Sequence, residues 1–135
     1  SRLATATPGF KDVDKNAWYY NAVSTAYEYR LISGYGNNRF EPERYITREE
    51  AMAILTRTMR IANMDTAISA EETTALLTKF IDNSQISAWT RNNAGVCVKY
   101  QIMTGSNFNI QPKANITRAE VATAVRKMLQ AAKLI

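Results

Sequence analysis

The chain repeats itself, and this limits what it can fold into more than any other feature. Phe10-Lys11-Asp12 recurs as Phe80-Ile81-Asp82, and Trp18 as Trp89. Ile32-Ser33-Gly34 recurs as Met103-Thr104-Gly105, Pro42 as Pro112, and Ile46-Thr47-Arg48-Glu49-Glu50 as Ile116-Thr117-Arg118-Ala119-Glu120. The offset is 70 at the start, 71 from the Trp to the Gly, and 70 again from the Pro onward. Five matched features keep one order, with shifts only where loops belong. A single copy holds two short helices and buries little alone, so the copies are expected to pack on one another, leaving grooves for a ligand.

Each copy reads as helix, loop, short extended piece, helix. Trp18, Ala22, Val23, Ala26 and Tyr29 fall at helical spacing, and Gly34 and Gly36 are expected to break that helix. Arg39-Phe40-Glu41 reads as the extended piece ahead of Pro42. Thr47 opens the second helix, with Ala51, Ile54, Leu55, Thr58 and Met59 as its inner stripe. In the second copy Ser87 is expected to cap a helix from Trp89 to Tyr100, and Thr117 opens one carrying Val121, Ala124, Val125, Met128 and Leu129. Ser69 and Glu72 have capping-box spacing for a connecting helix. The expected organisation is a tail of a preceding element at 1–9, a repeat at 10–64, a connecting helix at 65–79 and a repeat at 80–135. The expected fold class is mainly α: tandem helix-loop-helix repeats forming a helical bundle.

Composition excludes several kinds of chemistry. The chain has no His, so the commonest general base and metal ligand are missing. Its one Cys, Cys97, lies on an apolar stripe and reads as inert core. Carboxylate pairs such as Glu49-Glu50 and Glu71-Glu72 are explained by helix starts. No catalytic residue, cofactor or metal site is expected. No apolar run reaches membrane-spanning length. A net charge of +5 favours an anionic partner, but scattered Lys and Arg argue against nucleic acid.

The candidate site residues come from the repeated positions. Thr47 with Glu50, and Thr117 with Glu120, have capping-box spacing and read as structural. Arg48 and Arg118 between them are not explained by capping, because a cation in the first helical turn opposes the helix dipole. An anion held by free helix-start N–H groups and a guanidinium fork would explain them. The plainer alternative is an Arg paired with a carboxylate such as Asp12 or Asp82, or left in solvent. Trp18 and Trp89 read equally as sugar platforms or as core anchors. The turns at Ser33-Gly34-Tyr35 and Thr104-Gly105 allow either a positive backbone angle or close approach to a ligand.

At these motifs the sequence resembles the S-layer homology family. The resemblance rests on Phe10-x-Asp12, Trp18, Leu31 to Tyr35, Phe40-x-Pro42 and Ile46 to Glu50, with their second-copy counterparts ending in an intact Ile-Thr-Arg-Ala-Glu at Ile116 to Glu120. It implies a pseudo-threefold bundle of three repeats, extracellular at a bacterial surface, anchoring a larger protein to an anionic, often pyruvylated, secondary cell-wall polysaccharide. It further implies that Arg48, Arg118, Trp18, Trp89, Ser33, Gly34, Tyr35, Thr104 and Gly105 line the ligand grooves, with Asp12 and Asp82 as further groove residues. Ser1 to Thr7 look like the end of an earlier helix, and Ala131 to Ile135 like a natural C-terminus. The copies are therefore expected to be the last two of three, with self-association or a third repeat elsewhere as partner. Glu49 departs from the family's Ala and sets a negative charge beside Arg48. Gly95 falls inside a helix, so the two grooves are not expected to be equivalent. A module for protein contact or self-assembly is the alternative function.

Overall fold

The computed structural model describes residues 9–103 and 105–135. The tail expected at 1–9 therefore lies outside the described residues except for Gly9, and so does Thr104. The described chain is mainly helical, with α1 (Tyr20–Glu28), α2 (Arg48–Ile61), α3 (Ala70–Leu77), α4 (Arg91–Lys99) and α5 (Arg118–Ala131). Two three-residue strands, β1 (Tyr45–Thr47) and β2 (Asn115–Thr117), precede α2 and α5. The extended piece thus lies at Tyr45–Thr47 rather than Arg39–Glu41. Glu41 has a φ of +58°, which no strand accommodates. Helix α1 also ends earlier than Gly34: Arg30 takes a φ of +59° after the helix, as does Gln101 after α4.

The chain forms two compact units, Ser1–Tyr45 with Ile116–Ile135, and Ile46–Asn115. The sequence copy is therefore not the packing unit. The first unit joins the opening half of copy one to the last helix of copy two. The second joins the second helix of copy one, the connecting helix and the opening half of copy two.

In the first unit α1 packs on α5. Ala22, Val23 and Ala26 from α1 and Val121, Ala122, Val125 and Leu129 from α5 are buried, with Leu31, Ile32 and Phe40 from the intervening loop. Arg126 donates to the Thr25 hydroxyl at 2.9 Å, satisfying a polar group that is itself fully buried.

In the second unit α4 packs on both α2 and α3. The buried face of α2 includes Ala51, Leu55, Thr58 and Met59, with Met52 and Thr56 added, while Ile54 is only half-buried. Gly95 has a packing reason: a Cβ there would sit 3.1–3.2 Å from side-chain atoms of Thr73 and Ile68. Ser69 accepts the Glu72 N–H at the start of α3. Cys97 is fully buried on α4, and burial pushes its thiol up to about 12. Its reaction with iodoacetamide should be at least about a hundredfold slower in the folded chain than in urea, because the thiolate is the reactive form. Equal rates would show that α4 opens readily.

Candidate functional site

The helix starts are fully engaged by the protein itself. Thr47 and Glu50 form a reciprocal capping box, as do Thr117 and Glu120. The next two N–H groups are also taken. Arg48 N–H donates to Ala114 O at 2.8 Å and Glu49 N–H to Pro112 O at 2.9 Å. Arg118 N–H donates to Arg44 O at 3.0 Å and Ala119 N–H to Pro42 O at 2.8 Å. The free N–H groups expected at these helix starts are therefore not present.

The two arginines hold the Gly-containing loops. Arg118 is 7% exposed, donates through Nε to Phe40 O at 3.0 Å, and donates through a terminal nitrogen to Ser33 O. Arg48 makes the matching bonds to Ile110 O and Met103 O, both at 3.1 Å. Burial lowers both guanidinium groups from their usual value. Asp12 and Asp82 do not pair with these arginines. Asp12 accepts the N–H groups of Phe40 and Glu41 at 2.9 and 2.8 Å, and Asp82 those of Ile110 and Gln111, both at 2.8 Å. Each loop is thus gripped from two sides, by a carboxylate on its N–H groups and a guanidinium on its carbonyls. Glu41 and Gln111, both in the left-handed region, are the residues the carboxylates fasten.

The tryptophans are not core anchors. Trp18 is 70% exposed and Trp89 62%, each just ahead of its α-helix. Ser87 stands two residues before Trp89 but does not cap. Its hydroxyl donates to Glu49 instead, at 2.6 Å.

In the first unit several candidates form a connected surface. Trp18 packs edge-on against Tyr19, with centroids 5.2 Å apart. Tyr19 lines an open cleft of about 580 Å³ with Asp12, Glu41, Pro42, Glu43 and Arg44. Burial, followed by Glu43, Asp12 and Asp14, raises the Tyr19 phenol. Arg44 pairs with Glu41 at 3.4 Å and lies 4.3 Å from the Tyr35 ring centroid. Arg118 lies 4.5 Å from the same centroid, so Tyr35 carries two guanidinium groups. Ser33 is exposed, and Gly34 lies against Phe10 and Arg39 O. Among the described residues no cluster of three or more His, Cys, Asp or Glu could hold a metal ion.

The second unit carries different side chains at the matching positions. Ser106 stands for Tyr35, Ala114 for Arg44, Thr90 for Tyr19 and Lys113 for Glu43. Glu49, only 4% exposed, bonds to Ser87 and Lys113. Its negative charge is thus matched by Lys113, which sequence reading missed. The readable signal was Glu49 standing for Ala119 and Lys113 for Glu43, a charge gained at one matched position and reversed at the other, 70 residues apart. Arg44 was missed as well, because nothing in the sequence distinguishes it from a solvated Arg.

The sequence matches the S-layer homology domain over residues 9–52 and 80–122. It is 39% identical over 122 residues to an amylopullulanase of Thermoanaerobacterium thermosulfurigenes, covering 90% of this chain and 6% of that protein. It is 37% identical over 122 residues to exoglucanase XynX of Acetivibrio thermocellus, covering 90% of this chain and 11% of the relative. It is 28% identical over 125 residues to the surface-layer 125 kDa protein of Lysinibacillus sphaericus, covering 90% and 10%. The chain therefore spans only 6 to 11% of the length of these relatives. No helix among the described residues is long and apolar enough to cross a membrane. The chain belongs to the S-layer homology domain family, non-catalytic modules that anchor surface-layer proteins and surface enzymes at the cell surface.

Proposed function

We propose that this chain anchors a larger protein to an anionic, pyruvylated secondary polysaccharide of a bacterial cell wall. In each unit the ligand lies where the Gly-containing loop of one copy meets the helix start of the other. The observation that carries this reading is the exposure of two tryptophans at matching positions, 70% and 62%. Packing does not explain an exposed indole twice, whereas stacking on a sugar ring does. Trp18 and Trp89 supply the platforms, and the loop residues Ser33, Gly34, Tyr35 and Gly105 complete the site. Arg48 and Arg118, with Asp12 and Asp82, hold the loops in shape, and the two arginines add to the positive field behind a net charge of +5.

The test is cosedimentation with purified sacculi, before and after removal of the attached polysaccharide. Wild-type chain is expected to pellet only with untreated sacculi, and Trp18→Ala/Trp89→Ala to bind at least about tenfold more weakly. These variants remove exposed side chains, so the fold should persist. Undiminished binding by the variant, or equal binding to stripped sacculi, would sink the reading.

A second reading has its own observation. Ile81 is 77% exposed and Phe108 70%, and Ile81 N–H donates to Phe108 O at 2.8 Å. The matching residues in the other copy are Lys11 and Asn38. An apolar pair that one copy lacks favours protein contact on the second unit. Concentration-dependent sedimentation that disappears in Ile81→Lys/Phe108→Asn would support it.

A further inference from the structure

We propose that Ser87 and Lys113 form a carboxylate-binding site in the second unit, and that Glu49 fills it from within. Glu49 follows Arg48 at the start of α2, where the other copy has Ala119. A carboxylate in a first helical turn gains from the dipole while staying in water. This one turns inward and is 4% exposed. Three donors of different kinds converge on it. The Ser87 N–H reaches Oε1 at 2.9 Å, the Ser87 hydroxyl reaches Oε2 at 2.6 Å, and Lys113 Nζ reaches Oε2 at 2.8 Å. Lys113 also donates to Ser87 Oγ at 2.5 Å, which orients the hydroxyl toward the acid. Burial alone would raise this carboxyl, but the hydrogen bonds from Lys113 and Ser87 outweigh it and hold it below its usual range.

The matching positions of the first unit lack every part of this arrangement. Ala119 offers no carboxylate and Glu43 replaces the ammonium. The N–H of Asn16, two residues before Trp18, is taken by Asp14 Oδ1 at 2.8 Å. Receptor and plug therefore occur together or not at all. The Lys113 side chain is 54% exposed, so the receptor borders solvent at its ammonium-bearing residue. The geometry is that of a receptor for one carboxylate, the group an acidic sugar carries. In the wild type this group is supplied by the chain itself, so the second unit is closed to an external carboxylate at this position. The link to a wall polymer rests on the function proposed above; the receptor itself does not.

The test follows the Ser87 amide by NMR while sodium acetate replaces sodium chloride at constant ionic strength. In Glu49→Ala the Ser87 amide is expected to shift along a saturating curve, with an apparent Kd at least about tenfold below any wild-type response. The response should vanish in Glu49→Ala/Lys113→Ala. A flat Ser87 amide in folded Glu49→Ala overturns the proposal. So does a wild-type response equal to the variant's, or one that survives loss of Lys113. If Glu49→Ala does not fold, Glu49→Ser empties the same space, and a flat response there counts equally against the site. Sacculus binding is measured separately, so failure of the wall reading leaves the acetate result readable.

Discussion

Arg118→Ala should lower the thermal midpoint of the chain by about 10 °C, reflecting a loss of about 3 kcal/mol. Its guanidinium donates to both Ser33 O and Phe40 O, and Phe40 is itself fully buried. Truncation leaves both carbonyls short of a donor and removes the cation lying 4.5 Å from the rings of Tyr35 and Phe40. Arg118→Lys should recover less than half of the loss, since one ammonium cannot span two carbonyls as a planar fork does. Arg44→Ala is the control. It sits on the same Tyr35 ring with its side chain 52% exposed, and should change stability by no more than about 0.5 kcal/mol. If Arg118→Ala melted with Arg44→Ala, the guanidinium would not be holding the loop. The expected loss also governs how binding data are read: failure of Arg118→Ala to bind sacculi would report a loosened loop as readily as a lost ligand contact. The exposed tryptophans are the better probes.

What could be read from the chain beforehand follows the range of the interaction. The capping boxes at Thr47 and Thr117 were legible because both partners lie three residues apart on one helix turn. The purpose of Arg48 and Arg118 was not. Their acceptors are backbone carbonyls 55 to 85 residues away, and a carbonyl leaves no mark in a sequence. The same holds for Asp12 and Asp82, which bind N–H groups 28 and 29 residues on. Ser87 shows the competition directly: its position suited a cap, but a carboxylate 38 residues away took its hydroxyl. Trp18 fits the period of α1, yet the helix begins at Tyr20, so periodicity carried it toward a core it does not enter. The strand was displaced from Arg39–Glu41 because Asp12 holds Glu41 in a left-handed conformation. The repeat itself was legible, but not that each compact unit takes a half from each copy.

Gly105→Ala should be as damaging as the loss of Arg118, at about 3–5 kcal/mol, and Gly36→Ala should cost only about 1 kcal/mol. Both glycines have positive φ, +73° and +89°, so the intrinsic penalty for a Cβ is similar. The surroundings differ. A Cβ on Gly36 meets nothing within 4 Å, whereas one on Gly105 would overlap Asn109 O and lie 2.9 Å from the Ile110 Cα. Those are backbone atoms, and they cannot swing aside as a side-chain tip can. Asn109 is tied to Ser106 by a reciprocal pair of bonds at 3.0 and 2.9 Å. Ile110 is held by Asp82 on its N–H and by Arg48 on its carbonyl. Making room for the methyl group therefore means breaking the Ser106–Asn109 bridge or pulling Ile110 from both charged partners. Urea unfolding of the two variants compares the terms directly, since the difference between them isolates the contact from the backbone angle. A difference of at least about 2 kcal/mol would show that the loop is as tightly fixed as its bonds imply. Equal losses would mean that the loop yields to a methyl group, so its carbonyls could not present a fixed surface to a ligand.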